Sequence, residues 1–138
     1  MKIGMPTTLL LQEFGSFVWS AFGEPPYHVG SSLQSENKTW RDVDVRLMLS
    51  HERYCNVLNL TKAEREELDK RLVSAEEARH WNEHNIESWC ALVTIFSQYG
   101  QKLTGLPIDF QIQHQDIGNF LHKGTRSCLG IVGYRIHK

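Results

Sequence analysis

Two aspartates separated by a single residue are the part of this sequence best suited to chemistry. Asp42 and Asp44 alternate with two valines, a pattern that predicts a β-strand with its apolar residues on one face. Side chains two residues apart on a strand point to the same side, so both carboxylates share the other face. They repel each other there by about 1 kcal/mol at 4 Å in water. A Mg²⁺ or Mn²⁺ ion relieves that repulsion, because it prefers oxygen ligands and binds carboxylates together with phosphates.

A glycine–serine pair upstream of the aspartates has the features of a phosphate-binding turn. Gly30 carries no side chain, so its backbone amide can approach a phosphate closely. Ser31 adds a hydroxyl donor, and a helix beginning at Ser32 would add free N–H groups and the positive end of its dipole. Taken alone, such a pair is more often an ordinary turn. Beside a two-carboxylate metal site, it is the combination that phosphoryl or nucleotidyl transfer needs.

A third carboxylate is expected from a neighbouring strand. Asp109 lies between Ile108 and Phe110, after the most strongly patterned helix of the chain, so its strand can pair beside the first two. Arg46 shares the face of Asp44 by the same two-residue period, and we expect it to pair with an acidic neighbour or a phosphate. The plainer alternative stays open that these aspartates are solvated residues on exposed strand faces.

In this order, the three segments resemble the nucleotidyltransferase superfamily, whose members share the polymerase-beta-like fold. The matching segments are Val29-Gly30-Ser31, Asp42-Val43-Asp44-Val45 and Ile108-Asp109-Phe110. The resemblance covers roughly residues 8–113. It implies that Gly30 and Ser31 hold the triphosphate, and Ser32, at the expected start of the helix, is the third predicted nucleotide-binding residue. The chain departs from many small relatives at Ser32-Leu33, where they carry Arg-Gly.

The same resemblance implies a role for each aspartate. Asp42 and Asp44 would bind two metal ions, either Mg²⁺ or Mn²⁺. Asp109 would share one of these ions and help to deprotonate the acceptor hydroxyl, which then attacks the α-phosphate and expels pyrophosphate. Larger members of the superfamily carry a helical domain that reads the base and the acceptor, whereas this chain has only residues 114–138 after its third segment.

We therefore expect a metal-dependent nucleotidyltransferase that transfers a nucleoside monophosphate from an NTP to a hydroxyl acceptor, which can be protein, RNA or a small molecule. The alternative is a non-catalytic module of the same fold that binds nucleotide or a partner protein. Because 138 residues leave little chain to recognise an acceptor, a second copy or a partner protein is expected to supply part of the site. A net charge of −1 disfavours a third class, the nucleic-acid-binding domain.

The elements that must position these residues follow from hydrophobic periodicity. Apolar residues three and four apart predict helices over 8–22 and 86–100, and the capping-box residues Thr61 and Glu64 predict a helix to about residue 73. Strands are predicted at 27–29, 42–49, 108–113 and 129–136, a short helix and loop at 32–40, and a helical or irregular segment at 115–122, while 50–60 is ambiguous. This order predicts an α/β (α+β) fold in which helices cover a mixed β-sheet.

Length and composition set the remaining expectations. A chain of 138 residues, 41% of them hydrophobic, fits one domain over residues 1–138 and excludes a disordered chain. No apolar run reaches the roughly 18 residues of a membrane span and no secretory signal is visible, so no membrane contact is expected. Three scattered cysteines favour reduced thiols in a cytoplasmic protein. His80 and His84 lie four residues apart, and a polar helix face is favoured over a zinc site.

Overall fold

The computed structural model describes residues 5–34, 42–121 and 124–130. Its elements are α1 (Met5–Phe22), β1 (Tyr27–Val29), α2 (Ser31–Gln34), β2 (Val43–Leu49), α3 (His51–Val57), α4 (Lys62–Arg71), α5 (Ala75–Ala78), a 3-10 helix (Glu83–Asn85), α6 (Glu87–Thr104), β3 (Ile108–His114), α7 (Gln115–Leu121) and β4 (Ser127–Cys128). The predicted α+β class is confirmed, since helices and a mixed sheet build these ranges. None of their helices is long and apolar enough to cross a membrane.

The four strands form one sheet in the order β3-β2-β1-β4. β1 runs antiparallel to β2, with Val29 opposite Asp44, and antiparallel to β4. Because the sheet is mixed and these two pairs are antiparallel, β3 runs parallel to β2. The Val43 N–H donates to the Pro107 carbonyl at 2.9 Å, where both strands begin. The first residues of β3 therefore lie beside the first residues of β2.

The two-residue period of β2 and β3 sorts their side chains onto two faces, as the sequence predicts. The buried residues are Val43, Val45, Leu47, Ile108 and Phe110, and the partly exposed residues between them are Asp44, Arg46, Asp109 and Gln111. One side of the sheet is thus apolar and packed, while the other, here called the polar face, carries charge. The polar face carries Asp44 and Asp109, two of the aspartates that the sequence analysis predicts to bind a metal ion.

The chain divides into two compact units. The first contains residues 1–47, 94–111 and 124–138, and the second contains residues 48–93 and 112–123. The single domain over residues 1–138 stays a prediction.

The ring of Phe110 is the centre of an aromatic core in the first unit. Its centroid lies 6.2 Å from that of Phe14, 6.4 Å from Phe22 and 5.4 Å from Phe96. Phe14 and Phe22 belong to the buried stripe of α1, whose apolar residues recur three and four positions apart. From α6, the Ser97 hydroxyl accepts the Phe110 N–H at 2.9 Å. Helices α1 and α6 therefore fix β3 from its apolar side.

In the second unit, α3 forms from the segment whose pattern was ambiguous. Its Tyr54 is buried, donates its hydroxyl to Glu83 at 2.8 Å and accepts from the Trp81 indole N–H at 2.9 Å. These partners lie 27 and 29 residues away along the chain, so the bonds that stabilise α3 are not local. A periodicity argument, which reads only neighbouring residues, has no access to them.

Two boundary predictions had opposite outcomes. The capping box is confirmed, because Thr61 accepts from the Glu64 N–H at 3.1 Å and the Thr61 N–H donates to the Glu64 carboxylate at 2.9 Å. The predicted last strand at 129–136 is wrong at its start, because β4 ends at Cys128 and Gly130 has a φ of 84°. Residues 131–136 lie outside the described ranges.

Replacing Phe110 with alanine should lower the free energy of unfolding by about 3–5 kcal/mol, because the change leaves a cavity among three other rings. Chemical denaturation measures the loss. The matched control is Phe120→Ala in α7, where the ring is 36% exposed and the expected loss is below about 1 kcal/mol. Equal losses in the two variants would show that the core is not centred on Phe110.

Candidate metal and phosphate site

The three candidate aspartates come together on the polar face. Asp42 immediately precedes β2, Asp44 lies on β2 and Asp109 lies on β3. One carboxylate oxygen from each lies within 4.8 Å of one oxygen of the other two. The parallel pairing of β2 with β3 produces this convergence, because it sets the start of one strand beside the start of the other. The structure thus brings together residues that are 65 positions apart in sequence.

The surroundings of the three carboxylates differ. Asp42 is exposed, whereas the side chains of Asp109 and Asp44 are only 38% and 23% exposed. Burial raises the pKa of the Asp44 carboxyl above its usual 3.8, and the nearby Asp109 and Asp42 add to the rise while Arg46 opposes it. A cation beside Asp44 would therefore stabilise its ionised form.

Arg46 pairs with two of the aspartates, as its position on β2 predicts. Its Nη2 lies 3.4 Å from Oδ1 of Asp44 and 3.7 Å from Oδ2 of Asp109. Its Nη1 donates to the Asp109 backbone carbonyl at 2.9 Å and to the Val45 carbonyl at 3.3 Å. Gln111 is a neighbour that the sequence analysis missed, and its Nε2 lies 3.4 Å from Asp109 Oδ2. The two-residue period from Asp109 to Gln111 was the available signal.

Gly30 lies directly against Asp44. It follows Val29, the register partner of Asp44, and adopts a φ of 84°, a conformation that residues with side chains rarely take. A Cβ at this position would collide with Oδ2 of Asp44. The Leu33 N–H donates to the Gly30 carbonyl at 3.1 Å and closes the turn into α2. Glycine is therefore required here both by its backbone conformation and by the carboxylate beside it.

The two serines of the turn have different standing. α2 begins at Ser31, one residue earlier than expected, and the Ser31 side chain lies outside the part of the chain that the structure describes. Ser32 is fully buried, and its Oγ lies 2.7 Å from Nε2 of His28. Its hydroxyl therefore belongs to the interior, and only its main chain remains for the predicted contact with nucleotide.

His28 supports the turn from its buried side, a role that the sequence analysis missed. It is fully buried on β1, on the side opposite to Val29, and among the described residues its Nδ1 has no hydrogen-bond partner. Burial lowers the pKa of His28 from 6.5 to about 4. The side chain is therefore neutral at pH 7 and binds Ser32 without placing a charge under the turn. A histidine inside a three-residue strand gives no pattern that could have revealed this role.

His80 and His84 do not share a helix face, so that prediction is wrong. His80 follows the end of α5, and His84 lies in the 3-10 helix. The alternative of a zinc site built on helical spacing loses its geometric basis. The three cysteines, Cys55, Cys90 and Cys128, are free thiols, which agrees with the expectation.

The residues of the polar face fit a divalent cation. Three carboxylates are hard oxygen donors of the kind that Mg²⁺ and Mn²⁺ take, and an oxygen of each is within reach of a common point. The absent side chain of Gly30 lets the main chain of the turn lie against Oδ2 of Asp44. Comparison of the chain with protein-family models, with curated proteins and with solved structures gave no match. Any function proposed for this site therefore rests on its own geometry and on the sequence pattern.

Acidification should destabilise the fold through His28. The unfolded state takes up a proton near pH 6.5 and the folded state only near pH 4, so the unfolded state holds more protons between these values. The free energy of unfolding should fall as pH drops through this window, by up to about 1.4 kcal/mol per pH unit. Denaturation at several pH values measures the slope. His28→Gln should reduce it, whereas the exposed control His80→Gln should leave it unchanged.

Neutralising Asp44 should stabilise the protein. With its folded pKa raised, Asp44 contributes stability below pH 3.8 that is lost as pH rises through the folded pKa, so its charge is unfavourable at pH 7. Asp44→Asn should raise the Tm at pH 7 by about 2–5 °C, an increase typical of relieving strain at a functional site. The control is Glu66→Gln on exposed α4, with no expected shift. A lower Tm for Asp44→Asn would contradict the assigned electrostatics.

Proposed function

We propose that this chain is a metal-dependent nucleotidyltransferase of the polymerase-beta-like kind, which moves a nucleoside monophosphate from an NTP to a hydroxyl acceptor. The observation that carries the proposal is the convergence of Asp42, Asp44 and Asp109 within 4.8 Å beside the Gly30 turn. Along the chain, the three segments follow the order that the phosphate turn and the acidic residues have in the nucleotidyltransferase superfamily. Surface aspartates scattered by chance over two strands have no reason to meet at one point.

The aspartates are the residues that would hold Mg²⁺ or Mn²⁺. Such an ion, when bound, neutralises phosphate charge and orients the reacting oxygens. Asp44 is the most buried of the three and has the least access to water for its charge. Asp109 is more exposed, and its Oδ1 is the oxygen that does not face Arg46. In the proposed reaction, that oxygen would accept the proton of the acceptor hydroxyl.

The turn at Gly30 would hold the triphosphate. Its backbone can approach a phosphate closely because no side chain intervenes, and a phosphate held there would lie next to Asp44. In the reaction the acceptor oxygen forms a bond to the α-phosphorus and loses its proton, and the bond from that phosphorus to pyrophosphate breaks. His28 and Ser32 keep the turn in place from the buried side.

A second candidate function is a non-catalytic module that binds nucleotide or a partner protein. The pairing of Arg46 with two of the three aspartates favours it, because an arginine can satisfy these carboxylates without any metal ion. In both candidates, a second copy or a partner protein supplies the surface that recognises the acceptor. We also propose a cytoplasmic location, in keeping with three free thiols and with a need for NTP.

Binding of labelled NTPs should require Mn²⁺ or Mg²⁺ and should weaken roughly ten-fold or more in Asp42→Asn, a change at an exposed side chain. The assay is filter binding of each of the four NTPs with and without EDTA. Glu66→Gln serves as the control for loss of one negative charge. Binding that ignores both the metal ion and Asp42→Asn would refute the metal site.

A transfer assay separates the two candidate functions. Each NTP, labelled at the α-phosphate, is incubated with the protein and a cell extract, and label in protein, RNA or small molecules is measured. Transfer that is lost in Asp109→Asn supports the enzyme. Metal-dependent binding of nucleotide without transfer to any acceptor supports the module.

A further inference from the structure

The guanidinium of Arg46 is held on both of its terminal nitrogens. Nη1 is fixed to main-chain oxygens, at 2.9 Å from the Asp109 carbonyl and 3.3 Å from the Val45 carbonyl. Nη2 is thereby directed at Oδ1 of Asp44 and Oδ2 of Asp109, at 3.4 and 3.7 Å. The planar fork of arginine makes this division possible, because one half can bind the backbone while the other faces carboxylates.

Arg46 differs from an ordinary surface arginine in its burial. Its side chain is only 14% exposed, so salt and water screen its charge less than they would at an open surface. Its contacts to the backbone also remove the freedom that lets most surface ion pairs separate. The guanidinium is thus a fixed positive charge within the acidic site.

Among the residues that the structure describes, the charges of this acidic cluster and Arg46 do not balance without a further cation. Asp42, Asp44 and Asp109 carry three negative charges when ionised, and Arg46 supplies one positive charge. The remainder of two negative charges equals the charge that one divalent ion neutralises. Arg46 and such an ion both draw on Asp44 and Asp109, so each weakens the hold of the other.

We propose that Arg46 is a positioning residue that acts as the built-in counter-cation of the acidic site: it holds Asp44 and Asp109 together before a divalent ion binds, and it lowers the affinity for that ion. This inference rests on the proposed function. Removing Arg46 has two opposing effects on the ion, since the carboxylates lose a support and gain free negative charge. The second effect dominates, because the pairing of β2 with β3 keeps the main chain of Asp44 beside that of Asp109 without Arg46, so that only the orientation of the carboxylates is lost.

The test is the affinity of the nucleotide-free protein for Mn²⁺, measured by the loss of the free-ion EPR signal. Arg46→Met removes the charge and keeps much of the side-chain stem, whereas Arg46→Lys keeps the charge. Arg71→Met is the matched control, because Arg71 also bridges two carboxylates, Glu67 at 2.6 Å and Glu77 at 2.7 Å, but lies in α4. Melting temperatures are recorded for all four proteins in EDTA and in Mn²⁺.

Arg46→Met should bind Mn²⁺ roughly ten-fold more tightly than the wild type, as expected when a like charge is removed from beside the ion. Its Tm in EDTA should fall, and Mn²⁺ should raise that Tm by more than it raises the wild-type value. Arg46→Lys should keep an affinity close to wild type. Arg71→Met should lower the Tm by a similar amount with and without Mn²⁺. It should bind Mn²⁺ with the affinity of the wild type.

Unchanged or weaker Mn²⁺ binding by Arg46→Met, with wild-type binding that needs Asp42, would overturn the inference and leave the proposed function standing. Wild-type protein that binds no Mn²⁺, or binds it equally after Asp42→Asn, would overturn both. If Arg46→Met does not fold, Arg46→Gln takes its place, because the glutamine amide can still donate to the Asp109 carbonyl. Its Mn²⁺ affinity is then interpreted in the same way as that of Arg46→Met.

Discussion

The parallel pairing of β3 with β2 is the constraint on which the polar face depends. It places Asp109 beside Asp44 although a long run of helices separates the two strands in sequence. The pairing is maintained from the opposite side, where Phe110 packs against rings of α1 and α6. On each strand, therefore, an apolar residue that packs in the core lies next to an acidic residue of the polar face. Core and site are two faces of one alternating pattern.

Charge on the polar face works against the stability of the fold. Asp44 is partly withdrawn from water, close to two other carboxylates, and its raised pKa records that its ionised form is disfavoured. Arg46 relieves only part of this, because it approaches two of the three aspartates. A protein selected for stability alone has no reason to keep this arrangement, whereas a site for a cation gains from carboxylates that are not already satisfied.

Period-two alternation was sufficient to predict the strand carrying Asp44, the face it shares with Arg46, and the pattern around Asp109. The roles of His28 and of Ser32 were not accessible, because a hydrogen bond between two buried side chains across a turn leaves no trace in hydrophobic periodicity. Helix α3 stayed ambiguous since Tyr54 finds its partners in distant segments. The sequence thus predicts what neighbours in a strand determine, and it misses what tertiary contacts determine.

Gly30 has one further consequence, for the mutational history open to this chain. Glycine is the smallest residue that the genetic code offers, and every replacement begins with the carbon that would strike Oδ2 of Asp44. The same replacement would also have to adopt a φ of 84°. As long as Asp44 is retained, therefore, no single substitution at position 30 is neutral. A replacement at position 30 would therefore need compensating changes in both the turn and Asp44.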